Sequence, residues 1–385
     1  MNTFGEKTII IFRNAPLFGG AEQYTVDLAK GIAPFFKKVV VATNLPDFRT
    51  HLKEIKNMET IFLWPIKPIL VGKDFLYFLF SFFPKAFIKW LWVFFKYKPS
   101  ICHIQRPDDL IILGIIKKFF GGKFKLVYTH HAFGAERTFL LKGRNFLRKK
   151  MITESLLACD KIITVSAVVL SETQKALGFP LENAVVIHNG VDLNRFNPKF
   201  FPKKQTSKLI VGTACRLSKE KRLDLFLKAA KEISKAISNV EFWIIGDGPE
   251  KENLKKLTKE LNLESKVKFL GFQEKPEAFV SQMDVFVVTS ESEAFPIASL
   301  EAKALGIPVV AFAVGGLCEQ IEDGKDGFLV PFNDISQLSQ KVILLLKDPK
   351  LRKQMSKAAL KRAKSFSLEK MIEKTLAVYR EVVDG

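Results

Sequence analysis

Four side chains in the second half of this sequence have the types and spacing to hold an elongated anion. Glu293 and Glu301 flank a mostly apolar or small stretch in "SESEAFPIASLEA" (290–302). Arg216 and Lys221 form an R-x4-K pair in "GTACRLSKEKRLDLFLKAA" (212–230). Two fixed cations can neutralise a diphosphate, the arginine through a planar fork and the lysine as a point charge. Two carboxylates can accept hydrogen bonds from the hydroxyls of a sugar and a ribose. Each signal alone has a bland reading. An acid before a helix is usually a cap or a dipole partner. A loop that also carries Lys219 and Arg222 is as readily a solvated one. A third segment, "VIHNGVDLNRF" (186–196), reads as a turn, with Asn-Gly favouring positive φ and Asp192 placed to cap the residues after it.

The elements that would position these residues can be read from the local pattern. "DVFVVTS" (284–290) reads as a strand ending at Ser290. Pro296 suits the first turn of a helix, where a missing N–H is no loss. "IASLEAKALG" then runs helical to Gly306, with Glu293 in the loop before it and Glu301 in its second turn. The start of that helix would offer free N–H groups and a positive dipole end to a phosphate. "VGTACRL" ends another strand, so the two cations fall in the turn before the next helix.

The same alternation runs through the chain. Apolar strands are expected at 7–12, 37–43, 60–65, 100–105, 125–131, 161–166 and 184–190, with helical stretches between several of them. After "NPKFFPKKQTSK" (197–208), which lacks periodicity, a second series begins at 208–217, 240–249, 266–272, 284–290, 308–312 and 327–331. Strands alternating with helices imply parallel sheets. The expected fold is therefore α/β, with two Rossmann-like doubly wound domains facing across a cleft. The expected boundaries are 1–190 for the first domain, 191–207 for a linker and 208–366 for the second domain. The segment 367–385 reads as a final helix, packing back on the first domain. A length of 385 residues fits two domains of ordinary size.

Charge is uneven. Residues 1–205 hold 31 Lys and Arg against 15 Asp and Glu, and the rest holds 29 against 25. A basic half suggests an anionic partner. No zinc-finger spacing, Arg-rich block or aromatic RNA-binding signature is present, which argues against nucleic acid. The phenylalanine-rich stretch 75–95 is about the length of a membrane span, but Pro84, Lys85 and Lys89 interrupt it. It reads as a helix packed in the core or as an element lying in a membrane interface. Trp90, Trp92 and Tyr97 with Lys85, Lys89, Lys96 and Lys98 are residue types that sit at headgroup depth. Cys102, Cys159, Cys215 and Cys318 are far apart, in runs that read as strands or near-strand turns. Reduced, mostly buried thiols and a cytoplasmic setting are expected. The start "MNTFGEKTIIIFRNAP" reads as a first strand, not a signal peptide.

Taken together, the segments resemble the large family-four branch (group 1) of retaining nucleotide-sugar glycosyltransferases with the GT-B architecture. The matching segments include "FGGAEQYTVDLAKGI", "YTHHAFG", "VIHNGVDLNRFNP", "VGTACRLSKEKRLDLFLKA", "IIGDGPEKENLKKL", "MDVFVVTSESEAFPIASLEAKALGIPVVA" and "GGLCEQIEDGKDGFLVP". These occur in the family's order from residue 18 to 331. The resemblance implies that Glu293 meets the transferred sugar and Glu301 the ribose. Arg216 and Lys221 would hold the leaving diphosphate. Gly19 and Gly20 would form the glycine loop of the first domain, and His131, rather than His130, would stand near the reacting carbon. Phe295, Pro296 and Ile297 at the helix start, and Glu319 after the Gly315–Gly316 pair, complete the implied donor contacts. Ala294, Pro296 and Arg222 depart from positions where the family often has glycine, and none removes a charge the reaction needs.

The implied activity is retaining, metal-independent transfer of a hexose-type sugar from a UDP- or GDP-linked donor, with no separate cofactor. A lipid-linked or glycan acceptor and an anionic membrane surface are the expected partners, on the cytoplasmic face of the cell membrane, in the synthesis of a surface glycan. A nucleotide-sugar 2-epimerase of the same architecture and a non-catalytic glycan-binding subunit are the alternatives. The first would need acid/base carboxylates; the second would be expected to have lost Arg216, Lys221 or Glu293.

Overall fold

The computed structural model describes residues 4–14, 19–53, 55–63, 83–131, 146–203 and 208–385. The chain divides into two compact units, Met1–His188 with Met371–Gly385, and Asn189–Lys370. Both are built on a parallel sheet, so the expected pair of Rossmann-like doubly wound domains is what the structure shows.

The first unit holds strands β1 (Thr8–Arg13), β2 (Lys38–Thr43), β3 (Met58–Phe62), β4 (Ile101–Ile104), β5 (Lys125–His130), β6 (Lys161–Thr164) and β7 (Ala184–Val186). Their order across the sheet is 3-2-1-4-5-6-7. Its helices are α1 (Gly20–Ile32), α2 (Asp47–Leu52), α3 (Phe83–Tyr97), α4 (Pro107–Phe120), α5 (Phe146–Leu157) and α6 (Ala167–Leu177). Central strands are apolar along their whole length because helices cover both faces; Ile9, Ile10 and Ile11 are all fully buried. Helix α6 has legible ends: Ser166 Oγ accepts from Val169 N–H at the start, and Gly178 takes φ 87° at the finish.

Helix α3 falls in the phenylalanine-rich stretch, of which residues 75–82 lie outside the described residues. One face, Trp90, Val93, Phe94 and Tyr97, is buried in the core, with Trp90 stacked on Phe12 at 3.8 Å. The other face carries Ile88, Trp92 and Phe95, which are 67%, 53% and 59% exposed. The buried face is the one expected of a helix packed in the core. Among the described residues no helix is long and apolar enough to cross a membrane.

The second unit holds β8 (Leu209–Ala214), β9 (Val240–Ile245), β10 (Val267–Gly271), β11 (Val285–Val288), β12 (Val309–Phe312) and β13 (Gly327–Val330), in the order 10-9-8-11-12-13. Its helices are α7 (Leu223–Ala236), α8 (Lys251–Glu260), α9 (Glu277–Val280), α10 (Ile297–Ala304), α11 (Leu317–Gln320), α12 (Ile335–Lys347) and α13 (Pro349–Ala363). Phe226, Phe242 and Phe312 anchor its core.

Residues 189–203 are packed into this second unit. Asn189 Nδ2 donates to the Phe295 carbonyl at 2.7 Å, Val191 bridges to Ser367, and Arg195 pairs with Glu277 at 2.9 Å. Asp192 Oδ1 accepts from Asn194 and Arg195 N–H, the expected cap. Gly190 does not need positive φ; a Cβ there would meet Leu368 Cα at 2.6 Å, so close approach is what demands glycine. The last helix, α14 (Leu368–Asp384), returns the chain to the first unit, where Tyr379 Oη meets His103 Nδ1 at 2.6 Å. Three of the four cysteines match expectation in place. Cys318 does not: it lies in the short helix α11 and is exposed. A four-residue apolar-polar run carries no periodicity that separates strand from helix.

Candidate functional site

In a doubly wound sheet, ligands bind beyond the carboxyl ends of the strands where the strand order reverses. In the second unit that point lies between β8 and β11, which are neighbours although two strands separate them in sequence. The loop after β8 carries Arg216 and Lys221, and the loop after β11 carries Glu293. The structure brings the latter two into contact: Lys221 Nζ lies 2.7 Å from Glu293 Oε1. Both are largely shielded, at 22% and 10% side-chain exposure. Burial works against the Lys221 ammonium, but the facing Glu293 carboxylate outweighs it and holds the lysine above its ordinary pKa. Thr289 Oγ1 donates to the Lys221 carbonyl at 3.0 Å, tying the two loops together.

Arg216 is exposed, and no acidic side chain pairs with it among the described residues. Its loop is seated by glycines on the neighbouring "IIGDGP" turn. A Cβ on Gly246, at φ 125°, would meet the Cys215 carbonyl oxygen at 1.9 Å, and one on Gly248 would meet the Leu217 carbonyl oxygen at 2.4 Å. Gly316 does the same for the acidic loop. Its N–H donates to the Glu293 carbonyl at 2.9 Å, and a Cβ there would lie 2.0 Å from the Ala294 carbonyl oxygen.

Phe295 is 2% exposed and packs on Phe366 at 5.2 Å, so its backbone is what this residue can offer a ligand. Pro296 is the N-cap of α10, with φ −66° and ψ 132°, one position ahead of the expected first turn. No side chain caps this helix start, whose first residue is Ile297. Glu301 falls in the second turn and is half-buried; Glu319, in α11, is also half-buried.

Several supporting residues are not marked by the sequence pattern. Ser290 Oγ donates to Glu293 Oε1 at 2.6 Å, so Lys221 and Ser290 share one carboxylate oxygen. Lys303, two positions after Glu301, is fully buried and pairs with Asp326 at 2.7 Å. Gln320 Nε2 donates to the Pro296 carbonyl at 2.8 Å. A signal for Lys303 does exist: a lysine flanked by buried alanines on a short helix must bury its charge or find an acid. Finding Asp326 requires the fold.

Gly19, Gly20 and His131 belong to the first unit. Gly19 is the N-cap of α1 and Gly20 its first residue; both are exposed, and nothing lies within 4 Å of a Cβ built on Gly20. Among the described residues, close approach by protein therefore does not account for Gly20. Glu22, in the first turn, is buried and paired with Arg13 at 2.6 Å. The His131 ring lies against Tyr24 of α1, edge to face at 4.5 Å. Its Nε2 is buried without a hydrogen-bond partner among the described residues. Burial, followed by the nearby Arg13 charge, holds His131 well below the usual histidine pKa, so it is a neutral imidazole at pH 7. His130 is buried on the Tyr128 hydroxyl at 2.8 Å, in keeping with a structural role. The residues after His131 in the "THHAFG" stretch lie outside the described residues. Among the described residues no group of three or more His, Cys, Asp or Glu is placed to hold a metal ion.

Two Rossmann-like units, one with a charged pair at its switch point, place the chain among doubly wound α/β proteins, whose ligands bind at such points. Residues 18–195 match the Glycosyltransferase Family 4 profile, and residues 194–362 match the profile of Glycosyl transferases group 1. The chain belongs to this glycosyltransferase family. It is similar to the N-acetyl-alpha-D-glucosaminyl L-malate synthase of Bacillus anthracis, at 26% identity over 70% of this chain and 71% of that one. It is similar also to the O-antigen biosynthesis glycosyltransferase WclY of Escherichia coli, at 32% identity over 53% of this chain and 58% of that one. Among solved structures, HepE of Anabaena in complex with UDP-glucose superposes with a TM-score of 0.79, at 21% identity over 98% of this chain and all of the other. At that identity the likeness concerns the fold.

Proposed function

We propose that this glycosyltransferase moves a hexose-type sugar, with retention and without a resident metal, from a UDP- or GDP-linked donor to an acceptor hydroxyl. The carrying observation is the meeting of Lys221 and Glu293 at the switch point of the second sheet, with exposed Arg216 on the same loop as the lysine. In this reading Arg216 and Lys221 take the diphosphate. Glu293, whose Oε1 is already occupied by Lys221 and Ser290, presents Oε2 to hydroxyls of the sugar. The open start of α10 faces the phosphates, Glu301 the ribose, and Glu319 the nucleotide-side wall. As the bond from the anomeric carbon to the diphosphate breaks, negative charge gathers on the leaving oxygens. Fixed cations stabilise that charge more than the ground state, which is the source of rate. The acceptor oxygen bonds to the same carbon on the face the diphosphate left, and its proton goes to the departing phosphate oxygen. His131, neutral and with its Nε2 unpartnered among the described residues, is suited to a hydrogen bond near that carbon.

The acceptor is assigned to surface-glycan synthesis, either lipid-linked or a growing glycan. WclY, named for O-antigen biosynthesis, supports this reading, as does the exposed aromatic stripe of α3. Lys96 Nζ sits 4.8 Å from the Trp92 ring beside that stripe, a combination suited to an anionic membrane surface on the cytoplasmic side. The test of transfer is nucleotide release from UDP- and GDP-sugars with and without membrane-extracted glycan acceptors. The reading expects release that depends on the acceptor. Acceptor-independent epimerisation of the donor, or no reaction with any donor of either base, would remove it.

A further inference from the structure

The second unit also holds a buried polar assembly that the catalytic reading does not use. Lys303 of α10 and Asp326, in the turn before β13, are 0% and 2% exposed and meet at 2.7 Å. Lys303 Nζ also donates to the Gln320 carbonyl at 2.8 Å. Gln320 has no exposure; it binds the Pro296 carbonyl through Nε2 and receives the hydroxyl of Ser299 on its side-chain oxygen. From the other side Arg362 of α13 donates to the Glu319 carbonyl at 2.6 Å and the Gln320 carbonyl at 3.2 Å, and its Nε stands 3.9 Å from Asp326 Oδ2. Asp326 Oδ1 accepts from the Glu322 N–H at 3.2 Å.

A buried ion pair contributes little net stability compared with apolar residues of similar size, since desolvation offsets the attraction. What such a pair supplies is geometry: each member must point at the other. This one joins the helix bearing Glu301 to the turn before β13, while Lys303 also reaches the Gln320 carbonyl beside Glu319 and Gln320 reaches the carbonyl that opens α10. We propose that Lys303, Asp326 and Gln320 are positioning residues that set the spacing of Glu301, Glu319 and the α10 start for a nucleoside diphosphate. The inference rests on the donor site proposed above and adds the device that shapes its nucleotide end.

The same geometry carries a second property. Burial holds the Lys303 ammonium down to a pKa of about 8, with Asp326 and Glu322 favouring the charge and Arg362 opposing it. Its proton is present below that value and lost above it, so the pair dissolves as pH rises through about 8. Affinity for nucleotide should fall in that window.

The experiment is calorimetric titration of UDP and GDP into the full chain and into Lys303→Met/Asp326→Asn. That variant removes both charges and keeps an acceptor for the Glu322 N–H. The expected result is a Kd raised about tenfold or more with the melting temperature nearly kept, since misplacing binding groups by a fraction of an ångström is costly. In the wild type the Kd should be flat near pH 7 and already weaker by about pH 8.5, before the nucleobases themselves ionise, and the variant should lack that early slope. If that variant does not fold, Gln320→Leu, which breaks the link to the Pro296 carbonyl, is titrated in its place with the same expected rise in Kd. Variant binding within twofold of wild type, or a wild-type Kd flat across the window, overturns the inference and leaves the donor site standing. A wild type that binds neither nucleotide would remove the donor site and this device together.

Discussion

Lys221 and Glu293 hold one another, which leaves Arg216 as the site's uncompensated charge until a ligand arrives. The diphosphate then offers Lys221 a second anion, and Glu293 keeps Ser290 as a donor. Replacing Lys221 with Ala removes a cation from the developing charge and leaves Glu293 with one hydrogen-bond donor fewer. A fall of about 10²–10³ in turnover, with folding intact by circular dichroism, is expected in a nucleotide-release assay. Gly246→Ala should act through the fold: at φ 125° and 1.9 Å from a carbonyl oxygen, the new methyl has no accommodation. A loss on the order of 2–3 kcal/mol or more is expected, read as a lowered denaturant midpoint. Of these residues, Glu293, Arg216 and Lys221 are visible in the sequence through charge beside strand ends. Ser290, Asn189 and Lys303 are hidden there because their partners are 3, 106 and 23 residues away and nothing in residue type alone names a partner.

Strands and helices are easier to read than single contacts. A strand buried on both faces is an unbroken apolar run, so β1, β2 and β8 are plain in the sequence. Short elements are not: α11 has four residues, and its exposed Cys318 is expected near a strand. Helix α3 shows a different limit. Lys89 and Lys96, seven residues apart, mark the side away from Phe12, but residue type does not show that Ile88, Trp92 and Phe95 stand bare beside them. If the bare face meets a membrane, the wild type should float with vesicles containing an anionic phospholipid at low salt. Trp92→Ser/Phe95→Ser should stay in the pellet fraction with its melting temperature unchanged. Wild-type protein that fails to float, or a variant that floats equally well, would remove the membrane reading and leave transfer chemistry untouched.

At the scale of the whole molecule, the two units differ in their response to acid. All five histidines lie between residues 51 and 188. Burial pushes His103 down to about 3 and His130 to about 4, and His131 is also well below its ordinary value. The unfolded chain binds these protons near pH 6.5 and the folded unit does not, so stability is full above that value and falls as pH drops below it. Each histidine contributes up to about 1.4 kcal/mol per pH unit in that range, so about 3 kcal/mol should be lost between roughly pH 6.5 and 5.5. Hydrogen exchange should show β1, β4 and β5 opening earlier on acidification than β8, β9 and β12; equal loss in both units would contradict this. The central claim, that charge at the second switch point grips a diphosphate, has a more direct test. Calorimetry of UDP, GDP, uridine and guanosine should show one nucleoside diphosphate binding far more tightly than its bare nucleoside, and Arg216→Ala/Lys221→Ala should abolish the difference. Equal affinity for nucleotide and nucleoside in the wild type, or a difference that survives in the variant, would contradict it.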